Sequence, residues 1–558
     1  MFQRLSIFCL CLFVFSASAD VHAAVFNVAS GDVAGLIVAI NQANVNGQDD
    51  TIHLAAGVYT LQAINNRLGG LNGLPAISSK ITIRGASAAT TIIERDPMLD
   101  FTVRFRIFFV DAGGDLTLDG VTIRHGIAEA DNETPTGGGI RSVGVLNILN
   151  SVITDNDSNG NNAGGISSAG ELNITDSFIT RNHGGDGAGG VLTTGPANIV
   201  GSTISDNGTR FAGGIHNFGG RLVISHSTVA DNTRVTSCGG ITNEGGTTHV
   251  LNTTIANNAA QRYAGGICNI GGTTILTNST VAGNITGGEG FAGSLGYIIG
   301  GIANFVWAGP MGSVELQNTI VASNLVRDYS GDEPVIIGHS DCAGPITSLG
   351  NNLIGTLDGC ELMPQLTTDL LGDPGLDAYK DSGAPGGGHF PLLATSPAID
   401  TGNDNVCSSN PLLATDQLGQ PRSGICDMGA VEFARPVNSL LTFIPMSWTY
   451  KTTSNTSGCP AGCVGKFSFT ARLTDKSNSP ELADLVVKVM TLTAGNYLQN
   501  ADGGPARMGA IFTVPQTGDY ADGVLSPGQY VDVPFVICLK QNKPFTFLVD
   551  VLGVTETD

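Results

Sequence analysis

Gly164-Gly165-Ile166-Ser167-Ser168-Ala169-Gly170-Glu171-Leu172-Asn173-Ile174-Thr175-Asp176-Ser177-Phe178-Ile179-Thr180-Arg181-Asn182 is one copy of a phrase written seven times between Gly138 and Asn324. Each copy opens on Gly-Gly plus an aliphatic residue: Gly139-Ile140, Gly165-Ile166, Gly190-Val191, Gly214-Ile215, Gly240-Ile241, Gly266-Ile267 and Gly301-Ile302. The openings are 26, 25, 24, 26 and 26 residues apart, then 35 where Ile285 to Ile299 intervene. A fixed period in this range marks stacked supersecondary units, none of which buries its apolar face alone. Inside a copy the hydrophobic period is two, with Leu172, Ile174 and Ile179 aliphatic and the residues between mostly small or polar. Two aliphatic columns result: Ile148, Ile174, Ile199, Ile224, Val250, Leu276, Leu316, and Ile153, Ile179, Ile204, Val229, Ile255, Val281, Val321. Such alternation predicts short strands with one buried face, and the glycines predict bends that a Cβ would hinder. No helical stretch separates the strands. The expected fold is all-β: a right-handed parallel β-helix, its like residues stacked at about 4.8 Å per rung.

Each copy closes on an asparagine: Asn156, Asn182, Asn207, Asn232, Asn258, Asn284 and Asn324. A carboxamide repeated in one column donates and accepts along the stack, so these residues are expected to form a structural ladder. Asn217, Asn243, Asn269 and Asn304 make a second column, preceded by Ser142, Ser168 and Thr193.

Outward from the repeats, residues 1–23 read as a secretory signal, with Arg4 before an apolar run too short to span a bilayer. Residues 24–62 are expected to cap the solenoid: a short strand at Phe26-Asn27-Val28, Asp32 as N-cap, and a helix from Val33 to Asn44 laid over the open end. The coil is expected to begin near residue 50 and to run, with irregular early rungs, over 63–340. The capping stretch resembles the N-terminal module of secreted bacterial β-helix proteins called CSLREA proteins, with Gly35-Leu36-Ile37-Val38-Ala39-Ile40 in place of the signature containing cysteine.

Residues 341–435 lose the phrase. Asp341-Cys342, Asn351-Asn352, Cys360, Ser396-Pro397-Ala398-Ile399-Asp400, Asp416-Gln417, Arg422 and Cys426-Asp427-Met428-Gly429-Ala430-Val431-Glu432 follow in order. That order resembles the choice-of-anchor Q region of secreted bacterial β-helix proteins. The resemblance implies a pectate-lyase-like right-handed β-helix and brings no catalytic residues with it. Residues 437–558 hold six of the chain's eight lysines and alternating segments such as Lys466-Phe467-Ser468-Phe469-Thr470, which predict a β-sandwich-like domain. There Trp448 and Tyr450 suit either a ligand platform or, the favoured expectation for Trp448, a core position.

A formal charge of −22 disfavours nucleic acid and anionic membranes as partners and favours solubility or cation binding. Nine cysteines follow the signal (eleven less Cys9 and Cys11). Cys342 with Cys360 and Cys407 with Cys426 are the expected disulfides, because each pair closes a short loop where core burial is thin. Cys459, Cys463 and Cys538 leave one pair open. Cys238 and Cys268 sit at different offsets from their Gly-Gly marks, so no bond is expected between them.

Candidate chemistry is sparse. Asp155, Arg181, Asp206 and Asp231 stand directly before ladder asparagines on four successive rungs, and Ca2+ between Asp206 and Asp231 is compatible with that spacing, though no cofactor is required. His216, His226 and His249 occupy different columns and make no metal set. Arg210 and Arg262 each stand three residues before a Gly-Gly pair and are followed by Phe211 and Tyr263. With Arg181 and Arg234 they outline an edge suited to an acidic glycan. Two readings stand: an exported non-catalytic rod for adhesion or glycan binding at or near the cell surface, and a polysaccharide lyase or hydrolase acting on an acidic glycan. The oligomeric state is left open.

Overall fold

A computed structural model describes residues 23–556 apart from 129–136, 159–162, 288–297, 329–334, 394, 421, 423–424, 434, 453–457, 461, 479–480 and 502–505. The expected signal ends where that description begins. Most of the insertion at Ile285 to Ile299 lies outside it as well.

Both aliphatic columns align rung on rung in parallel register. Ile148, Ile174, Ile199, Ile224, Val250, Leu276 and Leu316 are successive cross-strand partners. So are Ile153, Ile179, Ile204, Val229, Ile255, Val281 and Val321. All are buried in one continuous core that fills the coil. Each turn contributes three strands, for example Ile166–Ser168, Leu172–Thr175 and Phe178–Thr180, which stack into a first, second and third face. The chain is a parallel β-helix, as its periodicity requires.

The Gly-Gly pairs serve close approach rather than left-handed backbone. A Cβ on Gly239 would lie 2.2 Å from the carbonyl oxygen of Gly265 on the next rung, and one on Gly240 would lie 2.6 Å from that of Gly266. The bend therefore tolerates no side chain. Left-handed backbone falls instead on the residue before each ladder asparagine: φ is 54° at Asp155, 54° at Arg181, 56° at Asp206, 57° at Asp231 and 55° at Asn257. Aspartate and asparagine tolerate that conformation best among residues with side chains, which explains most of this column without any chemistry.

At the N-terminus the coil starts earlier than residue 50: Val25–Val28 already pairs in parallel with Asp50–Leu54. The helix Val33–Asn46 sits between them. Its N-cap Asp32 accepts from the Gly35 N–H at 2.8 Å, Gly47 ends it at φ 73°, and Leu36, Ala39, Ile40 and Ala43 turn inward onto the core.

Beyond Cys342–Ser348 and Leu370–Leu371, which continue the rungs, the chain turns back as a strap over the third face. Gly386 N–H donates to Thr203 Oγ1, Thr228 Oγ1 donates to the Gly388 carbonyl, Thr254 Oγ1 donates to Gln417 Oε1, and Ala430 N–H donates to Thr280 Oγ1. Gly429 N–H donates to the Asn318 carbonyl. Five rungs lie under this strap, those of Thr203, Thr228, Thr254, Thr280 and Ile320. Its centre is Arg422, whose side chain is fully buried; Nη1 meets Glu432 Oε1 and the Asp427 carbonyl, and Nη2 meets Asn252 Oδ1 and the Gly429 carbonyl. Gln417, Arg422, Gly429, Ala430 and Glu432 are thus the residues of this segment that fasten the strap.

Three carboxyl groups, Asp416, Asp427 and Glu432, surround this one guanidinium in a dry interior. Full ionisation would leave excess negative charge without solvent, so burial pushes Asp416 up to about 6 and Glu432 up to about 8. Both folded values lie above the unfolded ones, so the folded state binds more protons and stability falls as pH rises through this window. Thermal unfolding should therefore occur at lower temperature at about pH 8 than at about pH 5, and Glu432→Gln should flatten the dependence. A melting temperature that rises over this range would refute the assignment.

The final domain packs two antiparallel sheets, Leu441–Thr452 with Gly465–Asp475, Tyr530–Leu539 and Tyr497–Leu498 against Glu481–Leu492 with Phe547–Glu556 and Ile511–Thr513. Their inner faces form a second core around Phe535, Ile537, Leu485 and Val487. Trp448 is 70% exposed and lies outside that core, contrary to the expectation of a core tryptophan. It stands on an edge strand where no further strand covers it.

Candidate functional site

The first face bears an aromatic patch on its outer side. The strand Ile215–Phe218 alternates, so Ile215 and Asn217 face the interior while His216 and Phe218 face out. Phe218 opposes Glu244 at the end of the next strand, and Ile270 opposes Phe305 two rungs further on. The turn after Phe305 carries Trp307 back across the earlier rungs, bringing its ring 5.6 Å from Phe211 and 6.1 Å from Tyr263. Tyr263 stacks on Phe305 at 5.1 Å with the planes 22° apart. Phe211 and Phe218 flank the His216 imidazole at 4.9 and 5.7 Å.

The floor under these rings is a separate apolar cluster outside the coil, containing Cys238, Ala264, Cys268, Ile270 and Ala303. Cys238 and Cys268 are disulfide-bonded there, with Cα atoms 6.0 Å apart. This corrects the sequence reading. Cys238 bridges Ala264 on the next rung, and the Gly-Gly bend after Ala264 brings Cys268 round to the same outer side, so unequal offsets still meet. The disulfides Cys342–Cys360, Cys407–Cys426 and Cys459–Cys538 are also formed, leaving Cys463 free.

Within the patch the titratable pair is His216 and Glu244, Nε2 to Oε2 at 3.2 Å. His216 is buried and its Nδ1 has no partner; neither has Thr242 Oγ1, buried on the adjoining rung. Phe218 and Trp307 are half exposed, at 51% and 50%. The outline is therefore aromatic and accessible, with one carboxylate at its floor.

The remaining sequence candidates are dispersed. Arg210 stands next to Phe211 and lies 3.7 Å from Asp186, with both side chains well exposed; such a pair contributes little to stability. Arg262 is exposed beside Tyr263. Arg234 belongs to the short strand Arg234–Val235. Arg181 sits at a different corner, after the third face, where Nε and Nη2 grip both oxygens of Asp155 at 3.1 Å; that pairing holds the Asp155 carboxyl below its usual range despite partial burial. Asp206 accepts weakly from Thr180 and Ser205. Asp231, one rung on, is pushed up by burial and by Asp206. Among the described residues no trio of acidic or histidine side chains converges at metal-ligand distance there; the group of three that does is Cys459, Cys463 and Cys538, two of which are disulfide-bonded.

The ladder asparagines are hydrogen-bonded from end to end. Asn182 Nδ2 and N–H both donate to Asn207 Oδ1, Asn207 does the same to Asn232, and Asn232 to Asn258. The stack begins at the Gly126 N–H and ends on the Asp341 carboxylate. The inner column Asn217, Asn243, Asn269 and Asn304 is linked through the side chains, each Nδ2 donating to the next Oδ1.

Sequence reasoning placed Phe211 and Tyr263 in one aromatic column, two rungs apart, but missed Phe218, Glu244, Phe305 and Trp307. A signal was present for three of them. Phe218, Glu244 and Phe305 each directly follow an inner-column asparagine, and one residue past an inward position is an outward one.

Among the described residues no helix is long and apolar enough to cross a membrane. No protein-family model matches the chain, and no curated protein sequence does. Solved structures with a similar course include the Dettilon tailspike protein at 11% identity and TM-score 0.30, over 92% of this chain and 94% of that one. Another is the A-module of the mannuronan C-5 epimerase AlgE6 of Azotobacter vinelandii, at 12% identity and TM-score 0.32, over 62% of this chain and 96% of that one. A third is the enzymatically active domain of tailspike protein 4 of bacteriophage CBA120, at 11% identity and TM-score 0.28, over 93% and 64%.

Proposed function

We propose that this chain is an exported, non-catalytic β-helix protein of the choice-of-anchor Q type that holds a glycan across the aromatic patch of its first face, at or near the cell surface. The observation that carries the reading is the patch itself. Phe211, Phe218, Tyr263, Phe305 and Trp307 gather outside the coil, where the core of the rod does not need them. Aromatic faces suit sugar rings, and the exposed Arg210 and Arg262 at the rim favour acidic units. Ca2+ is not part of the proposal.

The alternative, a lyase or hydrolase, is favoured by one feature only: Glu244 paired with His216 in the floor. One experiment addresses both. The purified protein is incubated with a panel of polyuronates and neutral polysaccharides, with binding, reducing ends and unsaturated products followed together. Binding without product is expected. The double variant Tyr263→Ala, Trp307→Ala should bind about tenfold more weakly or worse, and Arg210→Ala with Arg262→Ala should weaken only acidic polymers. Product formation lost in Glu244→Gln would establish the enzyme instead, and unchanged binding in the double variant would remove the patch as the site.

A further inference from the structure

The C-terminal sandwich contains a second aromatic feature of a different kind: a cleft of about 600 Å3 between its two sheets. The edge strand Leu441–Thr452 slips register between Pro445 and Ser447. That bulge lets Trp448 and Tyr450 continue the inward row begun by Phe443 and Pro445. Trp448 opposes Phe469 and Tyr450 opposes Phe467 on the neighbouring strand. From the other side, Phe545, ahead of the strand Phe547–Glu556, meets Phe467 at 5.4 Å, and Phe547 meets Phe469 at 5.7 Å. Behind the lining, Phe469 stacks at 5.0 Å on Phe535, which is fully buried. The lining thus runs from Trp448, 70% exposed, to partly buried rings that pack against the core of the domain.

The side-chain polar groups of this lining are few: the Trp448 indole N–H, the Tyr450 hydroxyl, Asn542 and Lys543. A sugar would leave most of its hydroxyls unpaired here, which is costly. An alkyl chain has no such groups, and the apolar walls continue the core that already exists. Lys543 stands at the rim of a domain that holds six of the eight lysines of an otherwise acidic chain. We infer that the cleft between Trp448 and Phe547 binds a single acyl chain with an anionic headgroup, the chain lying along the phenyl rings and the headgroup meeting Lys543. The occupant is a monomeric fatty-acid anion or its equivalent, not a membrane surface.

The protein has two tryptophans, so Trp307→Phe leaves Trp448 as the only indole and its emission as a direct readout. In that background the full chain is titrated with octanoate, decanoate and laurate, each below its aggregation concentration. Emission should shift to the blue, and affinity should rise about tenfold for each added pair of methylenes, the transfer value for buried hydrocarbon. Lys543→Glu should weaken every member about tenfold, and dodecyltrimethylammonium should bind less well than laurate. Calorimetry on Trp448→Ser, a polar change at an exposed position, should show binding reduced in a folded protein. A flat chain-length series, equal response to the cationic amphiphile, or a shift with oligosaccharides alone would overturn the inference. So would co-sedimentation with anionic vesicles in the absence of any response to monomeric laurate.

Discussion

Replacing Arg422 by alanine is expected to remove about 3–5 kcal/mol of stability, more than any other single change considered. Its guanidinium is wholly enclosed and bonds Glu432, Asn252 and the carbonyls of Asp427 and Gly429. Removing it leaves the Glu432 carboxyl beside two other acids, Asp416 and Asp427, without the guanidinium that offsets them. It also leaves Asn252 Oδ1 without its donor, so that Asn252, at the second-to-third-face corner, holds the strap only through Nδ2 to the carbonyls of Leu412 and Thr415. Limited proteolysis should then cut within residues 375–433 well below the melting point of the parent. The double replacement Arg422→Met, Glu432→Leu should recover part of the loss, because a buried ion pair exchanged for apolar groups of similar volume is often neutral. Thermal unfolding of Arg422→Ala at the parent temperature would show that the strap is held by other means.

The second large effect is expected at Asn232. Its Oδ1 accepts from both the N–H and the Nδ2 of Asn207, and its own Nδ2 donates to Asn258 Oδ1 and the Ile204 carbonyl. Alanine there orphans the Asn207 N–H in a dry interior and leaves the Ile204 carbonyl short of a donor. With the stranded Asn207 N–H at about 1–3 kcal/mol and the under-satisfied Ile204 carbonyl at about 1 kcal/mol, a total loss of about 2–4 kcal/mol follows. Asn173 supplies the control. It also belongs to a stack, donating to Asn147 and accepting from Asn198, but it lies half-exposed on the outer side of the second face. Water can replace those bonds, so Asn173→Ala should cost less than about 1 kcal/mol. Equal melting temperatures for the two variants would contradict the assigned difference between the buried ladder and the half-exposed stack.

Register was legible in the amino-acid sequence because two periods coincide in it. Alternation chooses the buried face, and the repeat length places Ile148 over Ile174 over Ile199 with no freedom to slip. The chemistry of single columns was less legible. Asp155, Asp206 and Asp231 read as acids in a row, whereas their shared property is a left-handed backbone. The four arginines read as one edge, yet Arg181 belongs to another corner and is gripped by Asp155. Contacts that depend on the chain doubling back left no periodic trace. Gln417 meets Thr254 across 163 residues and Arg422 meets Asn252 across 170. Trp307 reaches the aromatic patch only because the turn behind Phe305 folds backward, and Cys238 reaches Cys268 only around a bend. Trp448 is exposed for a related reason: a sandwich strand predicted from alternation does not say whether a neighbour will cover it.

A stack whose turns touch only their neighbours frays from its ends, each lost turn uncovering the next. The strap forbids this at the C-terminal end. Gly429 rests on Ile320 near the last rungs while Gly386, forty-three residues earlier in the same segment (429 less 386), is tied to Thr203 far inside the rod. Terminal turns therefore cannot peel away singly; five rungs and their fastening must give way as one cooperative block. A solenoid that would otherwise melt gradually is made, over that length, to behave like a compact domain.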